Sequence, residues 1–111
     1  MQQQVTIPGE EIAAKFVAAR RAGATLAVYP GDKPTTLAQA YAIQDAAIAL
    51  RGEAIAGWKI GRIHAPLADE LGTTRLIGPV AASQCSMIED AGTGFRIAGG
   101  FGAIEAELML R

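Results

Sequence analysis

Glu105 and Glu107 are two carboxylates set two residues apart in the run Ala103-Ile104-Glu105-Ala106-Glu107-Leu108-Met109-Leu110-Arg111. The run alternates like a half-buried strand, and side chains at i and i+2 of a strand leave the same face. Neighbouring carboxylates repel each other, and burying them is costly. A hard cation such as Mg²⁺ or Mn²⁺, held by carboxylate oxygens, would remove that repulsion. The flanking Ile104, Ala106, Leu108 and Leu110 also suit a plain surface strand with its polar face in water. Residue types and spacing leave both readings open.

Lys59 is the second candidate. It lies within Gly57-Trp58-Lys59-Ile60-Gly61. Glycines in a strand leave space for a ligand or a neighbouring backbone. A lysine there could contact an anionic substrate, or shuttle a proton if its pKa were lowered. The alternative is an edge-strand lysine that discourages aggregation. The remaining chemistry-bearing residues carry less. His64 has no second His or Cys partner and reads as a loop histidine. Cys85, the single cysteine, has no His placed beside it and reads as a buried or inert thiol. Gly99-Gly100-Phe101-Gly102 lacks the following helix and the Lys-Ser/Thr of a phosphate loop. Tyr41 reads as core, and Arg62 suits either a carboxylate contact or solvent.

These side chains need elements to position them. Pro8-Gly9-Glu10-Glu11 opens a helix over 9–22, with acids at its positive end, Arg20 and Arg21 in its last turn and Gly23 after it. Ile12, Phe16, Val17 and Ala19 form its apolar stripe. Tyr29-Pro30-Gly31-Asp32-Lys33-Pro34 is a turn-rich connector. Thr36 and Gln39 make a capping box for a second helix over 36–51. Its stripe is Leu37, Tyr41 and Ile48, with Ala40 and Ala47 at close contacts, and Gly52 ends it. A strand follows over 54–61, then a short helix from Pro66 to Leu71. From Gly72 to Gly102 the spacing predicts loops, with short strands near 86–89 and 95–98. Helices first and strands after predict an α+β fold: a helical region over 1–53 and a strand-bearing region over 54–111.

Composition bounds the rest. The 111 residues suffice for one small domain with a modest core, and a hydrophobic share of 50% favours a packed chain over a disordered one. Net charge is −1 with mixed signs, which gives no electrostatic reason to expect nucleic acid or an anionic membrane as partner. One cysteine cannot form an internal disulfide, which fits a reduced, cytoplasmic setting. The N-terminal Met1-Gln2-Gln3-Gln4 lacks the features of a secretory signal.

Taken in order, Ala40-Tyr41-Ala42-Ile43-Gln44, Gly57-Trp58-Lys59-Ile60-Gly61 and Ile104-Glu105-Ala106-Glu107-Leu108 resemble the N-terminal part of the 2-keto-4-pentenoate hydratase family, within the fumarylacetoacetate hydrolase-like superfamily. The resemblance implies N-terminal helices followed by the start of a mixed β-roll, with this chain as the front portion of a longer one. It implies Mg²⁺ or Mn²⁺ on Glu105 and Glu107, with a third acidic ligand beyond Arg111, and Lys59 in the active site. It also implies a small 2-oxo acid substrate and a homo-oligomer. Family members carry a Pro-Asp-Phe-Gly segment after the short helix. The corresponding Arg75-Leu76-Ile77-Gly78-Pro79 has no acid. The expected activity is hydration of a 2-oxo- or 2-hydroxy-alkenoic acid. The alternatives are a decarboxylase or C–C hydrolase of the same superfamily, a non-catalytic partner subunit, or a binding module.

Overall fold

Glu10 and Glu11 in the first turn, and Arg20 and Arg21 in the last, complement the dipole of the first helix, α1 (Glu10–Ala22). The structure is a computed structural model that describes residues 9–87 and 101–111. Gly23 closes α1 in the left-handed conformation, φ 62°, with its N–H on the Arg20 carbonyl. At the other end Gly9 has φ 91°, and a Cβ there would lie 2.7 Å from Cγ1 of Ile43. The start of α1 thus presses onto the second helix, α2 (Leu37–Arg51). Ala13 and Val17 are the buried residues of α1. Phe16 is partly exposed and meets Tyr29 edge-on, ring centroids 5.5 Å apart. Burying a valine side chain contributes roughly 1.5–3 kcal/mol, so Val17 is the larger apolar contribution of the two.

Thr36 caps α2 by accepting the Gln39 amide on its Oγ1 at 3.1 Å. The return arm differs from the expected box: Gln39 Oε1 accepts from the N–H and hydroxyl of Thr35, one residue earlier than the cap. Gly52 closes α2, again with positive φ. Arg21 reaches across from α1 and donates to the Leu50 carbonyl at 2.8 Å, so a guanidinium also satisfies the C-terminal end of α2.

Strand β1 (Ile55–Arg62) pairs antiparallel with β2 (Arg75–Ala81), in the register Trp58↔Pro79, Lys59↔Gly78, Ile60↔Ile77, Gly61↔Leu76. A short helix, α3 (Leu67–Leu71), fills the connection, and the Ala65–Pro66 peptide before it is cis. One turn of 3₁₀ helix, Ala82–Gln84, follows β2. The fold is α+β, N-terminal helices and a two-stranded antiparallel sheet. Helices α1 and α2 lie within 1–53 and both strands lie within 54–111. Among the described residues no helix is long and apolar enough to cross a membrane.

β2 occupies a stretch that the sequence reads as loop, because it is rich in glycine and small residues, and it also contains Pro79. The ladder phase explains why the proline is tolerated. Ile63 N donates to Thr74 O at 2.8 Å, which places the hydrogen-bonded pairs at every second position and makes Lys59↔Gly78 one of them. Pro79 then lies in a non-hydrogen-bonded pair, where its missing N–H would face away from β1. Two further expectations are corrected. Residues 101–111 form neither strand nor helix. Alternation alone does not make a strand; it needs a ladder partner, and among the described residues the sheet holds β1 and β2 alone. Ser86 and Met87 form no strand, and the rest of that segment and the one near 95–98 lie outside the described residues.

Candidate functional site

Lys59 owes its direction to the alternation of β1. Trp58, Ile60 and Arg62 leave one face, with Pro79, Ile77 and Arg75 opposite them. Gly57, Lys59 and Gly61 leave the other, with Gly78 directly across from Lys59. The ammonium therefore rises from a face whose neighbouring positions along β1 and directly across on β2 are glycine. A Cβ at Gly57 would meet nothing within 4 Å. At Gly61 a Cβ would meet Leu76 Cδ1 at 3.2 Å and at Gly78 it would meet Gln44 Nε2 at 3.6 Å, so the open space beside Lys59 is on the Gly57 side.

The second half of the site comes from the last segment. Lys59 Nζ hydrogen-bonds and ion-pairs with Glu107 Oε1, across 48 positions of sequence. The Glu107 bond is the largest influence on Lys59 and raises its pKa. Desolvation opposes the shift, and the charges of Glu107 and then Glu105 add to it. Glu107 is shifted the other way: the hydrogen bond from Lys59 is the largest influence and lowers its pKa, with desolvation opposing. So the Lys59 ammonium is paired with the Glu107 carboxylate, and Glu105 lies two residues from Glu107 along the chain. The side chains of the ion pair are 51% and 40% exposed, so the pair is solvent-screened. Lys59 is held protonated; the lowered pKa that proton abstraction requires is not what this environment produces.

Fixation of this face continues into α2. Tyr41 and Gln44, three residues apart and on one side of the helix, both engage Ile77 of β2. The Ile77 N–H donates to Tyr41 Oη at 3.0 Å, and Gln44 Nε2 donates to the Ile77 carbonyl at 3.0 Å. These are the two bonds that a neighbouring strand would have supplied. Tyr41, read from sequence as core, is half-buried and uses its hydroxyl in this way. The outward ladder groups of β2 cannot be anticipated while β2 itself reads as loop.

The other candidates stay apart from this locale. His64 is exposed, and its carbonyl accepts the Ala68 amide in α3. Cys85 is exposed, not buried, because it follows the 3₁₀ turn at the end of the sheet. Arg62 is exposed opposite Arg75. Gly99 and Gly100 lie outside the described residues. A separate polar cluster joins Arg51, Glu53 and Ser83. Ser83 Oγ donates to Glu53 at 3.0 Å and Arg51 bonds it at 2.6 Å, and these lower the Glu53 pKa, the serine first. This cluster ties the end of α2 to the 3₁₀ turn and has the form of a structural link.

Among the described residues no group of three or more His, Cys, Asp or Glu could hold a metal ion. Glu105 and Glu107 offer a partial set. Its chemistry fits a hard cation: both are oxygen donors, both are open to water, and Glu107 already pairs with one cation. Mg²⁺ is commonly held by one or two carboxylates and keeps its remaining positions for water and substrate. No known protein family, curated protein or solved structure matches this chain.

Proposed function

We propose that this chain carries part of the active site of a divalent-metal-dependent enzyme of the 2-keto-4-pentenoate hydratase type, acting on 2-oxo- or 2-hydroxy-alkenoic acids. The observation that carries this reading is the contact of Lys59 with Glu107, with Glu105 beside it. Lys59 and Glu107, two of the residues that the motif resemblance selects, lie 48 positions apart in sequence yet hydrogen-bond to each other. In this reading the chain contributes the helices and first strands of a β-roll.

Glu105 and Glu107 would hold Mg²⁺ or Mn²⁺. When bound, the metal supplies Lewis-acid polarisation of the substrate C2 carbonyl. The chain's own residues do the rest. Lys59 Nζ, kept protonated, exchanges its bond to Glu107 for one to the substrate's C1 carboxylate. That pairing fixes the acid end of the substrate over the glycine-lined face. Gly57, with nothing within 4 Å of where its Cβ would lie, leaves room for the carbon chain to lie against backbone. A charge-assisted bond from a fixed ammonium orients the reacting carbons, and orientation of this kind is a principal source of rate enhancement.

A second reading is favoured by one observation. The stretch Arg75–Pro79, where the hydratases carry an acid, has none and is a regular strand here. A decarboxylase, a C–C hydrolase or a non-catalytic partner subunit of the same superfamily fits that lack. The test is turnover of a panel of 2-oxo-alkenoates by the full gene product, with and without Mg²⁺ or Mn²⁺. Metal-dependent loss of the dienol absorbance with water added to the product supports the hydratase. CO₂ release or C–C cleavage selects the second reading. No metal-dependent reaction on any member of the panel contradicts the enzymatic readings.

A further inference from the structure

The contacts of Ile77 link α2 to Lys59 through a single peptide plane. The Ile77 carbonyl and the Gly78 N–H belong to the same planar amide, so fixing one orients the other. Gln44 holds the carbonyl on the outer side of β2. The Gly78 N–H points the opposite way, into the hydrogen-bonded pair with Lys59. Tyr41 holds the preceding plane through the Ile77 N–H. A Cβ built on Gly78 would lie 3.6 Å from Gln44 Nε2, so the Gln44 amide stands on the side of the sheet from which Lys59 rises. Glycine is the least constrained residue of a strand, and here it occupies the position across from Lys59 and both same-face positions beside it on β1. Side-chain packing cannot set the backbone at those three positions; bonds from outside the sheet can.

We propose that Tyr41 and Gln44 are positioning residues for Lys59, acting through the outer edge of β2 at Ile77 and through the Ile77–Gly78 peptide. They touch neither substrate nor metal. The proposal rests on the functional reading only in giving Lys59 a role; the mechanical link stands apart from it.

The test uses the chain with Gln44→Leu and Tyr41→Phe separately, each removing one of the two bonds at nearly constant volume. Val17→Ala, at a buried position of α1, is the control for general loss of stability. Two readouts are taken under native conditions. One is amide hydrogen exchange at Gly78 and Lys59. The other is the yield of the zero-length carbodiimide cross-link between Lys59 and Glu107, read by mass spectrometry. In both clamp variants exchange at Gly78 should quicken about fivefold, the factor for one net hydrogen bond, and the cross-link yield should fall with it. Val17→Ala should leave the cross-link unchanged. The proposal is overturned if the clamp variants leave both readouts at wild-type values, or if Val17→Ala changes them equally. Neither readout involves metal or turnover. If Lys59→Ala kept full turnover in the gene product, the functional reading would fail and the mechanical link would be untouched.

Discussion

Gly9→Ala tests whether α1 is seated on α2 as the structure shows. The new Cβ would lie 2.7 Å from Ile43 Cγ1, with the Ile43 Cα at 3.7 Å behind it. Ile43 is β-branched and stiff about χ1, so it cannot swing clear without moving the helix. Overpacking of this kind costs about 1–3 kcal/mol. The backbone at φ 91° adds roughly 1–2 kcal/mol for any residue with a Cβ. Together these come to about 2–5 kcal/mol, a large share of the roughly 5–15 kcal/mol that stabilises a typical domain. Gly23→Ala is the matched comparison, since Gly23 has φ 62° but nothing within 4 Å of its Cβ. It should lose only the backbone component, roughly 1–2 kcal/mol. Thermal unfolding followed by far-ultraviolet circular dichroism separates the two, because 1 kcal/mol corresponds to about 4–8 °C in a domain near this size. Gly9→Ala should therefore melt well below Gly23→Ala. Equal melting temperatures for the two variants would refute the close approach of α1 to Ile43.

Thr36→Ala removes the side-chain acceptor of the Gln39 amide and should destabilise the chain by about 1 kcal/mol, measured by urea unfolding. The contact of Glu107 with Lys59 should depend on pH at both ends. The Glu107 pKa is lowered from its ordinary 4.5, so its contribution is complete above that value and is lost as pH falls through the lower folded pKa. The Lys59 pKa is raised from 10.5, so its contribution is complete below that value and is lost as pH rises through the higher folded pKa. Nuclear magnetic resonance shifts of residues 103–110 should stay constant between those limits and change outside them.

How far the sequence reveals this structure depends on where each signal resides. Helix ends are legible because they are local: Thr36 with Gln39, the acids at Glu10 and Glu11, and the glycines at 23 and 52 act within a turn of their own residues. β1 is legible from its apolar run. β2 is not, because whether Pro79 breaks a strand depends on ladder phase, which only the partner strand sets. The exposure of Cys85 escapes the sequence for a similar reason, since burial of a small apolar residue is decided by what packs over it. For residues 103–110 the alternation is real but the ladder is not. The order of the motifs draws Lys59, Glu105 and Glu107 into one candidate set, and the structure joins Lys59 to Glu107 without the strand expected around the glutamates. The clamp from Tyr41 and Gln44 to Ile77 is not legible, because it joins a helix to a strand that the sequence pattern hides.

The most direct test of the central claim is thermal stability of the full gene product against Mg²⁺ and Mn²⁺ concentration. A cation bound only to the folded state raises the melting temperature in step with concentration over Kd. The wild-type protein should show that rise, Glu105→Gln and Glu107→Gln should each abolish it, and Lys59→Ala should keep it while losing turnover. If both glutamine variants respond to metal as the wild type does, Glu105 and Glu107 are not the metal ligands and the proposed site is contradicted.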